Sequence, residues 1–208
     1  MTNHLPALLA LFALGAQAAE PAKPLAPAAK PAQPAQPAAP GAGVKYVQAA
    51  SGNSLSFTFQ QLDAASTGQF KTFATTLIYD EKNPAAGSLD VKVTIGSLDT
   101  QDGERDEALK SADLFDAAKI PTATYIARSL ARNASGGLEA VGKLTLRGVS
   151  KDLRLPLTIK PTANGLELSG QTAIKRLDYG VGQGEWKSTE SVGDEVKIQY
   201  KVALVRAK

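Results

Sequence analysis

The side chains that could do acid–base or nucleophilic chemistry are few in this chain of 208 residues. The single histidine is His4 and there is no cysteine, so an imidazole base within the folded part, a thiolate nucleophile and the usual ligands of zinc are all missing. Carboxylates are plentiful, but no spacing forces two of them together. The sequence therefore predicts neither a catalytic residue nor a metal site, and we expect a protein that is not an enzyme.

A group of polar residues in the middle of the chain leaves two interpretations open. Arg105 and Asp106, with Asp99 and Thr100 upstream, could form a polar latch that fixes a nearby segment or meets the head group of a ligand. The alternative is an ordinary ion pair at the start of a helix, which would contribute little.

The spacing Gly180-x-Gly182-x-Gly184 invites comparison with a phosphate-binding loop. That interpretation fails, because no strand-to-helix transition with the required glycine spacing follows. Glycines at alternate positions instead favour a bent strand or a close approach of backbone to a ligand. The neighbouring Trp186 could cover the mouth of a cavity or pack in a core.

Alternation of apolar and polar residues dominates the chain from Val44 onward and indicates antiparallel strands that each bury one face. Alternating runs lie at 54–60, 89–95, 138–146, 153–159, 166–174 and 196–204, with further strands expected at Val44–Ala49, Gln69–Tyr79 and Thr122–Ser129. About eight or nine strands suit a closed barrel or a sandwich. The short segment Arg147–Asp152 is predicted as a hairpin loop.

The inward faces of these strands are compatible with a cavity or with a packed core. Small residues among large aliphatic ones, at Ala140, Gly142, Gly170 and Thr172, would leave room for a ligand. Aromatic residues would fill the same room if they point inward, and most alternating apolar faces are core. The periodicity alone does not separate the two.

One segment, Gly103–Pro121, follows a helical rather than a strand pattern. Ala108, Ala112 and Phe115 recur on one helical face, and Asp102 is placed to cap the first turn. The helix should end before the final proline of the segment, since the residue preceding proline is pushed toward extended geometry. We expect a short amphipathic helix across one end of the barrel, as a lid or plug.

The amino-terminal part of the chain predicts export. Residues 1–19 resemble a signal peptide, with an apolar core and cleavage after Ala18 or Ala19, and the mature chain is expected to carry no transmembrane helix. Residues 20–43 form an Ala/Pro-rich spacer expected to be disordered, and residues 44–208 form the domain. That domain carries 21 basic and 19 acidic residues, a surplus too small to indicate nucleic acid as a partner.

Four motifs occur in order along the domain. They are Arg105-Asp106 followed by Leu109, the step Ser111-x-Asp113-Leu114-Phe115, the hairpin Leu144–Val149, and Arg176-x-Asp178-Tyr179-Gly180. Together they resemble the YceI-like family of exported lipid-binding proteins, over essentially Val44–Arg206. Two departures are Gln61, where many members carry a histidine, and Ser150-Lys151-Asp152, where the hairpin usually reads Thr-Lys-Pro.

The resemblance implies a lipocalin-like antiparallel β-barrel of about eight strands with one short helical insert. It further implies binding, transport or sequestration of an amphiphile in the periplasm: an isoprenoid, a quinone-like molecule or a fatty compound. No cofactor is expected beyond such a bound lipid, and a membrane cytochrome of the b561 type is a partner that the family suggests. The alternative is a structural or interaction domain with a packed core.

On this basis a set of apolar residues is predicted to line the interior. They are Phe57, Phe59, Phe70, Phe73, Val93, Ile95, Leu109, Phe115, Tyr125, Leu144, Leu146, Ile174 and Trp186.

Overall fold

The computed structural model describes residues 43–62 and 64–208, so the predicted signal peptide and nearly all of the predicted spacer lie outside the described residues. Within these ranges there are eleven β-strands and one α-helix. The strands are β1 Val44–Gln48, β2 Ser54–Gln61, β3 Ala64–Phe70, β4 Phe73–Tyr79, β5 Ser88–Thr94, β6 Leu98–Asp99, β7 Thr122–Arg132, β8 Leu138–Leu146, β9 Val149–Thr162, β10 Gly165–Lys175 and β11 Val192–Arg206; the helix is α1 Gly103–Lys110.

Eight strands close into an antiparallel barrel in the order β1–β4–β5–β7–β8–β9–β10–β11, and β11 returns to β1. The long strand β11 pairs with β1 near its carboxyl end and with β2 along residues 192–201. Strands β2, β3 and β6 therefore extend the wall beyond β1. The predicted fold class, an antiparallel barrel of about eight strands, is confirmed. Each alternating run buries one face, and each of the eight barrel strands pairs with a neighbour on both sides.

The wall is not paired along its whole length. Strand β9 pairs with β10 only from Thr158 to Thr162, whereas the earlier part of β9 pairs with β8 alone. Where this backbone pairing has ended, side chains connect β9 to β11 and to the segment after β10. The Tyr200 hydroxyl of β11 donates to the Pro156 carbonyl of β9, and Lys151 of β9 lies 3.1 Å from Asp178, which follows β10.

The prediction of one strand across Gln69–Tyr79 was wrong, because two strands occupy this segment. The chain bends at Lys71 and Thr72, where Lys71 N donates to the Ser97 carbonyl at 3.0 Å and Thr72 N donates to the Ser97 hydroxyl at 3.0 Å. These groups thus leave the sheet ladder for a residue some 25 positions away, which local periodicity does not reveal.

The predicted hairpin loop is shorter than expected. Only Arg147 and Gly148 form the turn, with φ of 50° and 75°, and β9 begins at Val149. Left-handed conformation at both central residues is typical of the two-residue turns whose twist matches that of paired strands.

The helix prediction was right at its start and wrong at its end. The Asp102 side chain accepts a hydrogen bond from Arg105 N at 3.1 Å, as a capping residue should. Helix α1 ends at Lys110 because Ser111 is extended, and a series of turns follows, so Ala112 and Phe115 do not continue the helical face of Ala108. Within the described residues no helix is long and apolar enough to cross a membrane.

Two clusters of buried side chains fill different parts of the barrel. We call the first the packed end; its fully enclosed members that face no cavity include Leu77, Ala127, Leu130 and Leu204. The second cluster contains Ile95, Leu98, Leu114, Ala123, Leu146, Ile174, Tyr179 and Val181, and partly buried residues such as Leu109 and Phe115 from the α1 region pack against it. We call this second region the hollow end, because a cavity lies within it.

Candidate binding cavity

A partly open cavity of about 440 Å³ occupies the hollow end of the barrel. Its inner limit is a floor of five side chains that also belong to the packed end: Leu89, Tyr125, Leu168, Tyr200 and Val202. Its outer limit includes α1, which contributes Ala108 and Leu109 to the lining. Between these limits the wall consists mainly of leucine, valine, isoleucine and phenylalanine side chains, so the cavity can exclude water from an apolar molecule.

The structure places nearly all of the predicted lining residues at this cavity. Twelve of the thirteen line it: Phe57, Phe59, Phe70, Phe73, Val93, Leu109, Phe115, Tyr125, Leu144, Leu146, Ile174 and Trp186. The structure shows that these twelve residues lie at the cavity, while their contact with a ligand stays a prediction.

Ile95 is the exception. It begins a short 3₁₀ helix, Ile95–Ser97, and this change of backbone ends the alternation of β5. Its side chain is 2% exposed and packs in the buried cluster of the hollow end, outside the cavity lining. The predicted strand therefore ran one residue too far, since β5 ends at Thr94.

The lining also includes residues that the prediction omitted. Eleven of them lie on the inward faces of strands already recognised, at Leu55, Thr75, Val91, Leu153, Leu155, Leu168, Thr172, Val196, Ile198, Tyr200 and Val202. The alternation of β9, β10 and β11 was a sufficient signal for several of them. Thr75 shares a face with Phe73 and Leu77, but its residue type argued against the interior, because threonine is mostly exposed.

Aromatic side chains line one wall without filling the space. The Phe57 ring lies 6.1 Å from that of Phe59 and 5.2 Å from that of Phe70, and the Phe70 ring meets Phe115 edge-on at 6.2 Å. These spacings are those of favourable aromatic pairs. The rings pack against each other from β2 and β3 to the segment after α1, and the cavity remains beside them.

The expectation that small inward residues leave room for a ligand was wrong for two glycines. A Cβ at Gly170 would overlap the hydroxyl and ring of Tyr200, so that space is taken by the tyrosine. A Cβ at Gly142 would overlap the Ile126 carbonyl and the backbone of Ala127, beside an irregularity in the β7–β8 register. Both glycines allow close approach of protein atoms rather than of a ligand.

The two floor tyrosines turn their hydroxyls to backbone carbonyls. Tyr125 Oη lies 2.8 Å from the Ala140 carbonyl and 3.0 Å from the Leu153 carbonyl, and Tyr200 donates to the Pro156 carbonyl. Burial is the main cause that raises the pKa of each phenol above its usual range. Both therefore stay neutral at physiological pH and present their rings to the cavity.

Polar groups gather at the outer end of the cavity. Asp102, Glu104 and Arg105 of the α1 region contribute to the lining there, and Arg105 lies 3.3 Å from Asp102. Asp106 turns away to accept hydrogen bonds from the Thr100 backbone at 2.8 Å and from the Thr100 hydroxyl at 2.7 Å. The predicted latch is thus divided: Asp106 and Thr100 fix the helix, and Arg105 is left at the cavity.

Asp99, the remaining residue of the predicted latch, joins a different contact. Its carboxylate lies 2.7 Å from the Lys71 ammonium, and this bond is the main cause that lowers the pKa of Asp99, with a hydrogen bond from Gln101 N adding to it. Asp99 thus holds the bend between β3 and β4.

Arg176 supports the loop that completes the wall. Its side chain is 4% exposed, and its guanidinium donates to the carbonyls of Gly193, Val181, Trp186, Ser188 and Val192 at 2.6–3.0 Å. These bonds use all of its N–H groups. Burial is the main cause that lowers the pKa of Arg176, and nearby Asp194 opposes it.

The glycines after Arg176 belong to this loop and not to a bent strand, which corrects the prediction. Gly180, Gly182 and Gly184 all have positive φ and lie at or between two 3₁₀ helices, Arg176–Tyr179 and Gly184–Lys187. A side chain at Gly182 would overlap the Arg176 guanidinium.

An antiparallel barrel with an apolar cavity at one end defines the class of small hollow barrels to which lipocalin-like proteins belong. Comparison with known proteins narrows this class. The YceI-like domain model matches residues 46–204, and the chain belongs to this family.

Three relatives illustrate the range of similarity. UPF0312 protein YE1254 of Yersinia enterocolitica is 32% identical over 149 residues, which cover 68% of this chain and 74% of the relative. The crystal structure of Burkholderia cenocepacia BcnA superimposes with a TM-score of 0.69 and 29% identity, over 72% of this chain and 94% of that one.

The third is a polyisoprenoid binding domain from Saccharophagus degradans. It matches with a TM-score of 0.62 and 15% identity, over 79% of this chain and 99% of that domain. This similarity shows the fold.

Proposed function

We propose that the barrel binds the apolar part of an amphiphile, an isoprenoid, quinone-like or fatty compound, and carries or sequesters it in the periplasm without changing it chemically. The observation that supports this proposal is the apolar cavity of about 440 Å³, which has a size typical of small-molecule sites. Burial of each CH₂ group contributes about 0.8 kcal/mol, so a medium-length chain needs no strong polar contact to bind.

Membership of the YceI-like family and the fold shared with a polyisoprenoid binding domain are consistent with such a ligand. Export to the periplasm rests on the signal-like residues 1–19. A membrane cytochrome of the b561 type is proposed as a partner on the family resemblance alone. The competing proposal, an interaction domain with a packed core, does not account for the empty volume beside Phe57 and Phe70.

The test compares a variant that fills the cavity with one that does not. Ala123 lines the cavity and is 6% exposed, so Ala123→Phe should occupy part of the volume. Ala173 lies on the outer face of β10 and is exposed, so Ala173→Phe is the matched control. Delipidated protein is incubated with a long-chain alcohol and examined by native mass spectrometry.

We expect one ligand per chain for the unmodified protein and for Ala173→Phe, and at least tenfold weaker uptake for Ala123→Phe. The compound extracted afterwards should be the compound added. Equal uptake by all three proteins would place binding outside the cavity, and no uptake by any of them would favour the interaction domain.

A further inference from the structure

The lining of the inner cavity contains a polar group with no partner. Thr75 of β4 is 3% exposed and belongs to the lining, and its hydroxyl oxygen has no hydrogen-bond partner among the described residues. Buried hydroxyls are normally hydrogen-bonded, and leaving one unpaired is destabilising. An unpaired hydroxyl in an apolar wall therefore requires an explanation.

A second unpaired oxygen lies on the neighbouring strand. The Gln48 side chain of β1 donates from Nε2 to the Phe73 carbonyl of β4 at 3.0 Å, but its buried Oε1 has no partner among the described residues. Val47 pairs with Thr76, and the same antiparallel register places Gln48 opposite Thr75. The two unpaired oxygens thus belong to adjacent positions of the barrel wall.

The register also shows how deep these residues lie. Thr75 pairs with Val91, which pairs with Tyr125 of the floor. Two positions further along β4, on the same face, Leu77 is fully buried in the packed end. Thr75 therefore lies at the inner end of the cavity, away from the charged residues beside α1.

The donor and acceptor inventory defines the missing partner. The Gln48 oxygen only accepts, whereas the Thr75 hydroxyl has one proton and can also accept. An ether could accept from the Thr75 hydroxyl but would leave the Gln48 oxygen without a donor. A hydroxyl can accept from Thr75 and also donate, whereas a carboxylate would place a charge in an apolar site beside an acceptor.

We propose that Thr75, with Gln48 beside it, forms a polar subsite that binds the hydroxyl end of an uncharged long-chain amphiphile. The ligand then lies with its hydroxyl at the floor and its apolar chain directed toward α1. This inference rests on the proposed function and adds to it the orientation of the ligand and the chemical class of its buried end.

The experiment compares three probes of equal chain length: decan-1-ol, its methyl ether and decanoate. Affinities for delipidated full-length protein are measured by displacement of a fluorescent apolar dye. One net hydrogen bond at a buried site predicts that the alcohol binds about fivefold more tightly than the ether, with decanoate weakest.

Variants test whether Thr75 contacts the polar end of the ligand. Thr75→Val removes the hydroxyl at nearly constant shape, so decan-1-ol should bind about fivefold more weakly. Thr75→Ser should retain the affinity of the unmodified protein. Thr76→Val makes the same change at the next residue, which alternates to the outer face of β4, and should leave the affinity intact.

Equal binding of alcohol and ether to the unmodified protein would overturn the subsite and leave the proposed function standing. Unchanged affinity of Thr75→Val for decan-1-ol would also overturn it. If no probe binds the unmodified protein, the proposed function fails as well. Should Thr75→Val not fold, the probe comparison in the unmodified protein and in Thr75→Ser still decides.

Discussion

The two ends of one barrel differ in how they are stabilised. At the packed end, side chains such as Leu77, Leu130 and Leu204 have at most 1% exposure and fill the space between the strands. At the hollow end the same strands carry side chains of the same type, yet a cavity of about 440 Å³ remains. The two ends differ in how their side chains fill the cross-section of the barrel. The rings of Tyr125 and Tyr200 form the floor of the cavity at the boundary, whereas beyond them the phenylalanine rings pack against each other along one wall.

Polar contacts support the hollow end where packing is incomplete. The Arg176 guanidinium holds the loop after β10 by bonds to five carbonyls, and Asp106 holds α1 through Thr100. These hydrogen bonds hold the loop and α1 in place although a cavity lies beside them. We therefore expect the packed end to supply most of the stability and the hollow end to supply the space for a ligand.

The largest effect is expected from truncating a leucine at the packed end. Leu77→Ala should lower the free energy of unfolding by about 3 to 5 kcal/mol, because the surrounding strands cannot collapse into the vacated volume. Leu144→Ala removes the same atoms from a partly buried residue of the cavity lining, and should cost about 1 to 2 kcal/mol because a cavity already exists there. Urea denaturation of both variants measures these free energies of unfolding. Equal losses would contradict the claim that the two ends are packed differently.

A smaller loss is expected at the polar support of the hollow end. Arg176→Lys keeps the charge but cannot reach five carbonyls, so buried acceptors are left unpaired at a cost of about 2 to 3 kcal/mol. Hydrogen exchange should show faster opening of residues 177–192, with little change in β8. Unchanged exchange in this loop would contradict the role given to Arg176.

The smallest effect is expected at the boundary between the two ends. Tyr200→Phe removes the hydroxyl that donates to the Pro156 carbonyl, and should cost about 1 to 2 kcal/mol near neutral pH.

The same variant has a signature in the pH dependence. The folded pKa of Tyr200 is raised above 10.0 by burial, so the stability it contributes is complete below about pH 10 and falls at higher pH, where the unfolded phenol ionises first. Denaturation between pH 9 and 11 should therefore show a shallower loss for Tyr200→Phe than for the unmodified protein. Parallel curves would mean that Tyr200 is not buried as a neutral group.

Much of the fold could be predicted from local pattern. Alternation located most strands, and the capping position of Asp102 located the start of α1. The bend at Lys71 and Thr72 could not be predicted, because its partner Ser97 comes from a distant segment.

The cavity was only partly predictable for a similar reason. Gly170 suggested room, but the room is filled by Tyr200 from the next strand, and the phenylalanines that suggested filling pack along a wall instead. Which inward side chains meet across a barrel depends on tilt and closure, and these are properties of the whole sheet. Thr75 shows the limit most clearly: alternation with Phe73 and Leu77 places it on the inward face, but the sequence does not show that its hydroxyl lacks a partner there.

The most direct test of the account is native mass spectrometry of the protein exported to a bacterial periplasm and purified without detergent. We predict an added mass near one ligand per chain, removable by solvent extraction and identified as an uncharged long-chain amphiphile. A clean mass of the polypeptide alone, with no uptake of added long-chain alcohols, would contradict the claim that the hollow end is a binding site.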